Sequence, residues 1–248
     1  FLVISCSGDD DPVIEYVTVT ETVTETETVV ETVTVGPFAD STLEGNITAD
    51  KTLDASKIWL LKGRVSVVSG STLTIPAGTI IKGESGTGAD ASTLIIARGG
   101  KIIANGTVDA PIIMTSISDN IEVGGTYPSS GPALGVDTRG LWGGLLILGN
   151  APCSFSGDVT ELQIEGIPTS DTNGLYGGTN PADDSGSVEY LSIRHGGAEI
   201  GEGNEINGLT LGGVGSGTKI NHVEVVANVD DGIEFFGGTV NATNLLVW

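Results

Sequence analysis

A chain of 248 residues that is 39% hydrophobic can bury a sizeable core, and with aromatics at only 5% that core is aliphatic. Glycine, at 38 residues, runs at roughly twice its usual share of ~7%, and no stretch keeps apolar residues at helical spacing, which points to all-β structure with many tight turns. Ten Lys and Arg against 32 Asp and Glu leave a formal net charge of -22. This excess repels nucleic-acid phosphates and anionic membrane surfaces; it either selects neutral, cationic or cation-bridged partners or serves solubility alone.

At the N-terminus, Phe1-Leu2-Val3-Ile4-Ser5-Cys6 is apolar, ends in a small residue and a cysteine, and runs into Ser7-Gly8-Asp9-Asp10-Asp11. It resembles the end of a bacterial lipoprotein signal peptide with its lipobox at Val3-Ile4-Ser5-Cys6. Residues 1–6 are then a signal-peptide remnant and Cys6 is the lipidated mature N-terminus. The acidic run resembles the signal that sends some Gram-negative lipoproteins to the outer face of the outer membrane. Pairing of Cys6 with Cys153, the other cysteine, is the open alternative. From Val17 to Val35, Thr fills every even position except Val30, and Val or Glu the odd ones. Neither face of that alternation is apolar enough to seed a core, so residues 7–37 read as an extended acidic stalk. Strand pairing between chains, with Glu limiting aggregation, is the other reading.

The folded domain is expected over 38–248. Ser71-Thr72-Leu73-Thr74-Ile75 followed by Ala77-Gly78-Thr79-Ile80-Ile81 recurs as Ser92-Thr93-Leu94-Ile95-Ile96 followed by Arg98-Gly99-Gly100-Lys101-Ile102, a step of 21 residues. Such a unit has one apolar face and must stack on its neighbours. Thr52 to Val67 follows the same pattern as an early coil, Asn105-Gly106-Thr107 is a turn, and Ala110 to Thr115 opens another coil. Residues 118–139 and 167–187 break the pattern and read as loops thrown out from the solenoid, with the coil of Leu141 to Gly149 between them. From Val188 onward, Leu211 maps to Ile233, Thr218 to Val240 and Val223 to Leu245 at steps of 22. The prediction is a right-handed parallel β-helix with coils of 21 to 22 residues, roughly nine of them over ~43 Å. Leu73, Ile75, Leu94, Ile96, Leu211 and Ile233 point inward. The chain stops inside a strand at Trp248, so truncation there is expected.

The segments Trp59 to Gly83, Ile102 to Ser116, Gly140 to Pro152 and Asn204 to Asn241 resemble right-handed β-helix surface lipoproteins of Gram-negative bacteria, related in architecture to the pectate-lyase-like superfamily. The resemblance implies fold and surface location and carries no catalytic residue over. Within that architecture, Asp230-Asp231-Gly232-Ile233-Glu234 is the best chemical constellation, because three carboxylates supply hard oxygen ligands for calcium. In an unbroken strand Asp230 and Glu234 stand ~13 Å apart with Asp231 on the opposite face, so the alternative is turn carboxylates satisfying backbone N–H groups. Arg194-His195-Gly196-Gly197 resembles a polygalacturonase pattern in the wrong chain order, His222 reads as a surface or turn residue, and Cys153 as a buried thiol or loop residue. Gly212 to Gly217 reads as a coil corner and not a phosphate loop. The Asn-x-Thr sites at Asn46, Asn105 and Asn241 read as turns. The expected function is adhesion, matrix contact or glycan binding by a lipid-anchored surface protein without catalysis, its partner a polysaccharide or surface protein. The alternative is a lyase or hydrolase acting on acidic polysaccharide.

Overall fold

A computed structural model describes residues 38–126, 134–201 and 204–248. Cys6 and residues 7–37, read above as an acidic stalk, lie outside these. The chain divides into two units, Phe1–Asp40 and Ser41–Trp248. Among its described residues the second is all-β apart from two three-residue turns of 3-10 helix, Gly88–Asp90 and Thr172–Gly174.

Its strands stack as a parallel β-helix of three ladders, here called faces A, B and C. Face A comprises the starts of Thr42–Ile47 and Ile58–Val67, then Ile80–Gly83, Ile112–Ser116, and the ends of Gly186–Arg194, Lys219–Val226 and Asn241–Val247. Face B takes the ends of the first two, then Thr93–Ile96, Leu145–Leu148, Leu209–Gly212 and Ile233–Phe236. Face C holds Lys51–Thr52, Thr72–Pro76, Lys101–Asn105 and the starts of the last three long strands.

The described residues visit face A seven times, which makes six turns and a rod of about 29 Å at ~4.8 Å per turn, not nine coils. The step of 22 is real where no insertion intervenes: Lys51 pairs with Leu73, Ile58 with Ile80, and Val223 with Leu245. Other turns are lengthened by residues 84–92, which stretch the step from Leu73 to Ile102 to 29, and by the longer segments 117–144, 149–185 and 195–208. The second of these begins well before residue 167, and the third interrupts a stretch whose sequence reads as clean repeat.

The 21-residue repeat is not a coil period either. Leu73 stacks on Ile102 and Leu94 on Val65, because the two similar segments lie on different faces. Likewise Ile233 stacks on Leu209, and Leu211 on Phe235. Every face uses the same strand pattern, an inward aliphatic followed by a corner, so local self-similarity marks strands without marking turns. Asn46, Asn105 and Asn241, read as turns, sit in strands.

The inward columns are continuous. Val65, Leu94, Leu145, Leu209 and Ile233 stack on face B, and Trp59, Ile81, Met114, Ile193 and Val225 on face A, all in one aliphatic core. Leu73, Ile75, Leu94, Ile96 and Leu211 are fully buried as expected, while Ile233 is half-buried against the same core. Each fully buried Leu or Ile contributes about 1.5–3 kcal/mol. Trp142, from the first insertion, enters the core where Gly83 leaves room: a Cβ on Gly83 would come within 2.8 Å of it. Its Nε1–H donates to the Arg194 carbonyl at 2.7 Å.

The insertions fold back over the outer faces. On face B, Ile95, Leu146 and Leu148 point outward yet are buried, because Ile164, Ile167 and Tyr176 of segment 149–185 and Ile206 of segment 195–208 cover them. Phe155 and Phe236 flank Tyr176 edge-on, with ring centroids at 5.4 and 6.0 Å. Arg98 clamps the cover through Glu161 at 2.6 Å and the Gly177 carbonyl at 2.9 Å. On face A, Ile121 covers the outward Ile80 and Ile113, and Lys82, 7% exposed, donates to the Asp119 carbonyl at 2.6 Å. Thr115 Oγ donates to the Asp119 carboxylate at 2.8 Å.

Candidate functional site: a groove on face A

The column of outward residues on face A reads Ile58, Ile80, Ile113, Ser192, Glu224, Leu246. Its first three are apolar and packed with Ile121 of segment 117–126. From Ser192 onward the column turns polar and then exposed, with Leu246 half open to solvent.

The corner from face C to face A is made by Tyr190, His222 and Asn244 in successive turns. All three are left-handed, at φ 48, 52 and 55. Ladder pairing runs up to the residue before each corner and resumes on the residue after it. Asn and His are tolerated in this region, whereas a tyrosine there costs about 1–3 kcal/mol. The left-handed backbone brings the Tyr190 and His222 rings face to face at 4.3 Å and 8°. This aromatic platform borders a cavity of about 340 Å³, whose other walls include Arg194, Glu224, Leu246 and Pro111. A second cavity of about 250 Å³ shares Arg194 and Glu224 and continues to Leu134, Val136 and Trp248.

Between the two, Ser192 is the hinge of a polar network. Its hydroxyl accepts from Arg194 Nε at 2.8 Å and donates to Glu224 Oε1 at 2.7 Å, while Arg194 Nη2 lies 3.9 Å from the same carboxylate oxygen. His195, just past the strand, holds segment 134–144 in place through Nδ1 and the Thr138 carbonyl, 2.6 Å apart. Together these elements form an elongated, partly apolar groove with the stacked aromatic pair at one end and a fixed set of hydrogen-bonding groups at its centre. Those are the features by which small-ligand sites fix orientation.

A sequence model of the pectate-lyase like β-helix domain matches residues 45–248, nearly the whole folded unit. The chain belongs to the pectate-lyase-like β-helix family. No curated protein and no solved structure matches it.

In this β-helix the acidic constellation lies apart from the groove. Asp230 and Asp231 are exposed in the turn before Ile233–Phe236, and the Asp231 carbonyl accepts from the Gly208 amide and Asn228 Nδ2, both at 3.0 Å. Glu234 is half-buried on the outer side of face B and accepts from Asn207 Nδ2 at 2.6 Å. Burial raises its pKa, and Glu165, Asp231 and Asp230 add to the rise against the Asn207 hydrogen bond. Among the described residues no three Asp, Glu, His or Cys side chains come together as a metal-binding group.

Cys153 is a half-buried thiol of segment 149–185, its pKa raised by burial. Sequence reasoning singled out Arg194, His195 and His222 separately and missed Tyr190, Ser192 and Glu224. The available signal was Tyr190-Leu-Ser-Ile-Arg194 against His222-Val-Glu-Val-Val226, a spacing of 32 hidden by the insertion at 195–208.

Proposed function

We propose that the β-helix is a glycan-binding surface protein that holds a polysaccharide in the groove of face A without cleaving it. The supporting observation is the stacked Tyr190–His222 platform beside the Arg194–Ser192–Glu224 network. A pyranose ring presents a flat C–H face to an aromatic platform and hydroxyls at its edge to fixed donors and acceptors. The stalk and a lipid on Cys6 would hold that groove away from a bacterial outer membrane.

The second reading is a polysaccharide lyase or hydrolase, favoured by Arg194 and Glu224 sharing one groove. Against it, Arg194 is engaged by the Ser192 hydroxyl and by Glu224, an arrangement that suits positioning more than proton abstraction.

Incubation with neutral and acidic polysaccharides, reading both retained polymer and newly formed reducing or unsaturated ends, separates the two. The proposal expects retention without new ends. Ends that form and then disappear in Glu224→Gln would establish the enzyme instead. For the anchor, labelled palmitate is expected to enter the protein in bacterial cells and to be lost in Cys6→Ala; equal labelling of both removes the anchor from the account.

A further inference from the structure

The chemistry inside the groove restricts which sugars fit it, an inference that rests on the glycan-binding reading and deepens it. The one cationic side chain lining both cavities, among the described residues, is Arg194, and it is compensated in place. Glu224, from the next turn, is the ladder partner of Ser192, whose Oγ bridges it to Arg194. At the platform end, Lys219, three residues before His222 on the same strand, is turned to the outer side of face C, where its Nζ pairs with Glu189 at 2.8 Å. Lys82, on the same face as Arg194, is buried under segment 117–126 with its Nζ on the Asp119 carbonyl.

Among the described residues that line the groove, Arg194 is the one Lys or Arg and Glu224 offsets its charge; the stacked Tyr190–His222 pair, the His195 imidazole, the Ser192 hydroxyl and the Asn244 amide supply the other polar and aromatic groups. A uronate polymer brings one carboxylate per residue. It would need an uncompensated positive charge to offset desolvation, and it would meet a chain of net charge -22 on approach.

We propose that the groove selects uncharged hexose units and rejects uronates, and that Glu224 is the specificity-determining residue because it neutralises Arg194. The platform supplies affinity for any pyranose, and the Glu224–Arg194 pair sets the charge that is tolerated.

Affinity electrophoresis of the folded chain through gels containing hydroxyethyl cellulose, galactomannan or polygalacturonate, at low and high salt, tests this with two variants. Tyr190→Asn removes the platform ring while keeping a residue that suits the left-handed corner, as Asn244 does in the next turns. Glu224→Gln keeps an acceptor for Ser192 and leaves the Arg194 charge uncompensated. The parent is expected to be retarded by at least one neutral polymer at both salt levels and not by polygalacturonate, with retardation reduced in Tyr190→Asn. Glu224→Gln is expected to bind polygalacturonate at low salt, by roughly two- to fivefold over the parent, the size of an exposed charge contact. If the parent prefers polygalacturonate and Tyr190→Asn abolishes that binding, the groove stands and the selectivity falls. If Glu224→Gln folds like the parent and leaves the ratio of acidic to neutral binding unchanged, Glu224 is not the determinant. If none of the polymers is retarded, or Tyr190→Asn binds as the parent does, the glycan-binding reading and the selectivity fall together.

Discussion

The outer side of face A is two different surfaces on one ladder. In its early turns Ile80 and Ile113 point outward under Ile121, and Lys82 is buried with its charged end on Asp119, so the outside of the sheet has become a small second core. In its later turns the same column carries Ser192, Glu224 and Leu246, and the insertion that could cover them instead sends Trp142 inward and stops at His195. Face B is covered too, by segment 149–185 over Ile95, Leu146 and Leu148. Faces A and B thus bury their outward apolar residues where an insertion lies over them. The open groove remains where the column turns polar. In a β-helix the inner side is committed to the core, so the register of outward residues and the reach of the insertions decide where a ligand can sit.

Outward residues under a cover should behave as core, and this gives the largest expected effect. Leu146→Ala and the inward Leu94→Ala should each cost about 2–5 kcal/mol in denaturant unfolding, because both side chains are buried. A near-neutral Leu146→Ala would mean that segment 149–185 does not lie on face B. Lys82→Ala should come next, at about 1.5–3 kcal/mol for a buried charged hydrogen bond. Unchanged stability there would place segment 117–126 off face A.

A smaller, pH-dependent effect belongs to Glu234. Its folded pKa is raised, so the folded state holds the proton more tightly than the unfolded chain and loses stability as pH rises from the ordinary carboxylate range through that raised value. Glu234→Gln, which keeps an acceptor for Asn207, should raise the thermal midpoint at neutral pH. That gain should vanish below the ordinary carboxylate pKa; a parent more stable than the variant at neutral pH contradicts this. Smallest of all, Tyr190→Asn should change stability by no more than about 0.5 kcal/mol, since the lost ring contact is offset by relief at the left-handed corner. A loss of several kcal/mol would make the platform a structural element of the fold.

The strand pattern and the inward aliphatics were legible in the sequence, because alternation and corner glycines are local signals. Leu73, Ile75, Leu94, Ile96 and Leu211 are buried as their pattern implies. The number of turns was not legible. Insertions separate ladder partners by as many as 84 residues, as between Ile102 and Gly186, and no local period survives that distance.

The groove was hidden for the same reason. Ser192 and Glu224 meet only through register, and Tyr190 gives no sign of a left-handed corner, which Asn244 alone would have suggested. Conversely, Asp230, Asp231 and Glu234 are dense in sequence, yet the turn before Ile233 spreads them between solvent and the outer side of face B.

The most direct test of the central claim is backbone hydrogen exchange with and without hydroxyethyl cellulose. The open part of face A predicts new protection confined to residues 190–194, 222–226 and 244–248, and absent in Tyr190→Asn. Protection confined to segment 149–185 or to the strands of face C, or no protection at all, would contradict it.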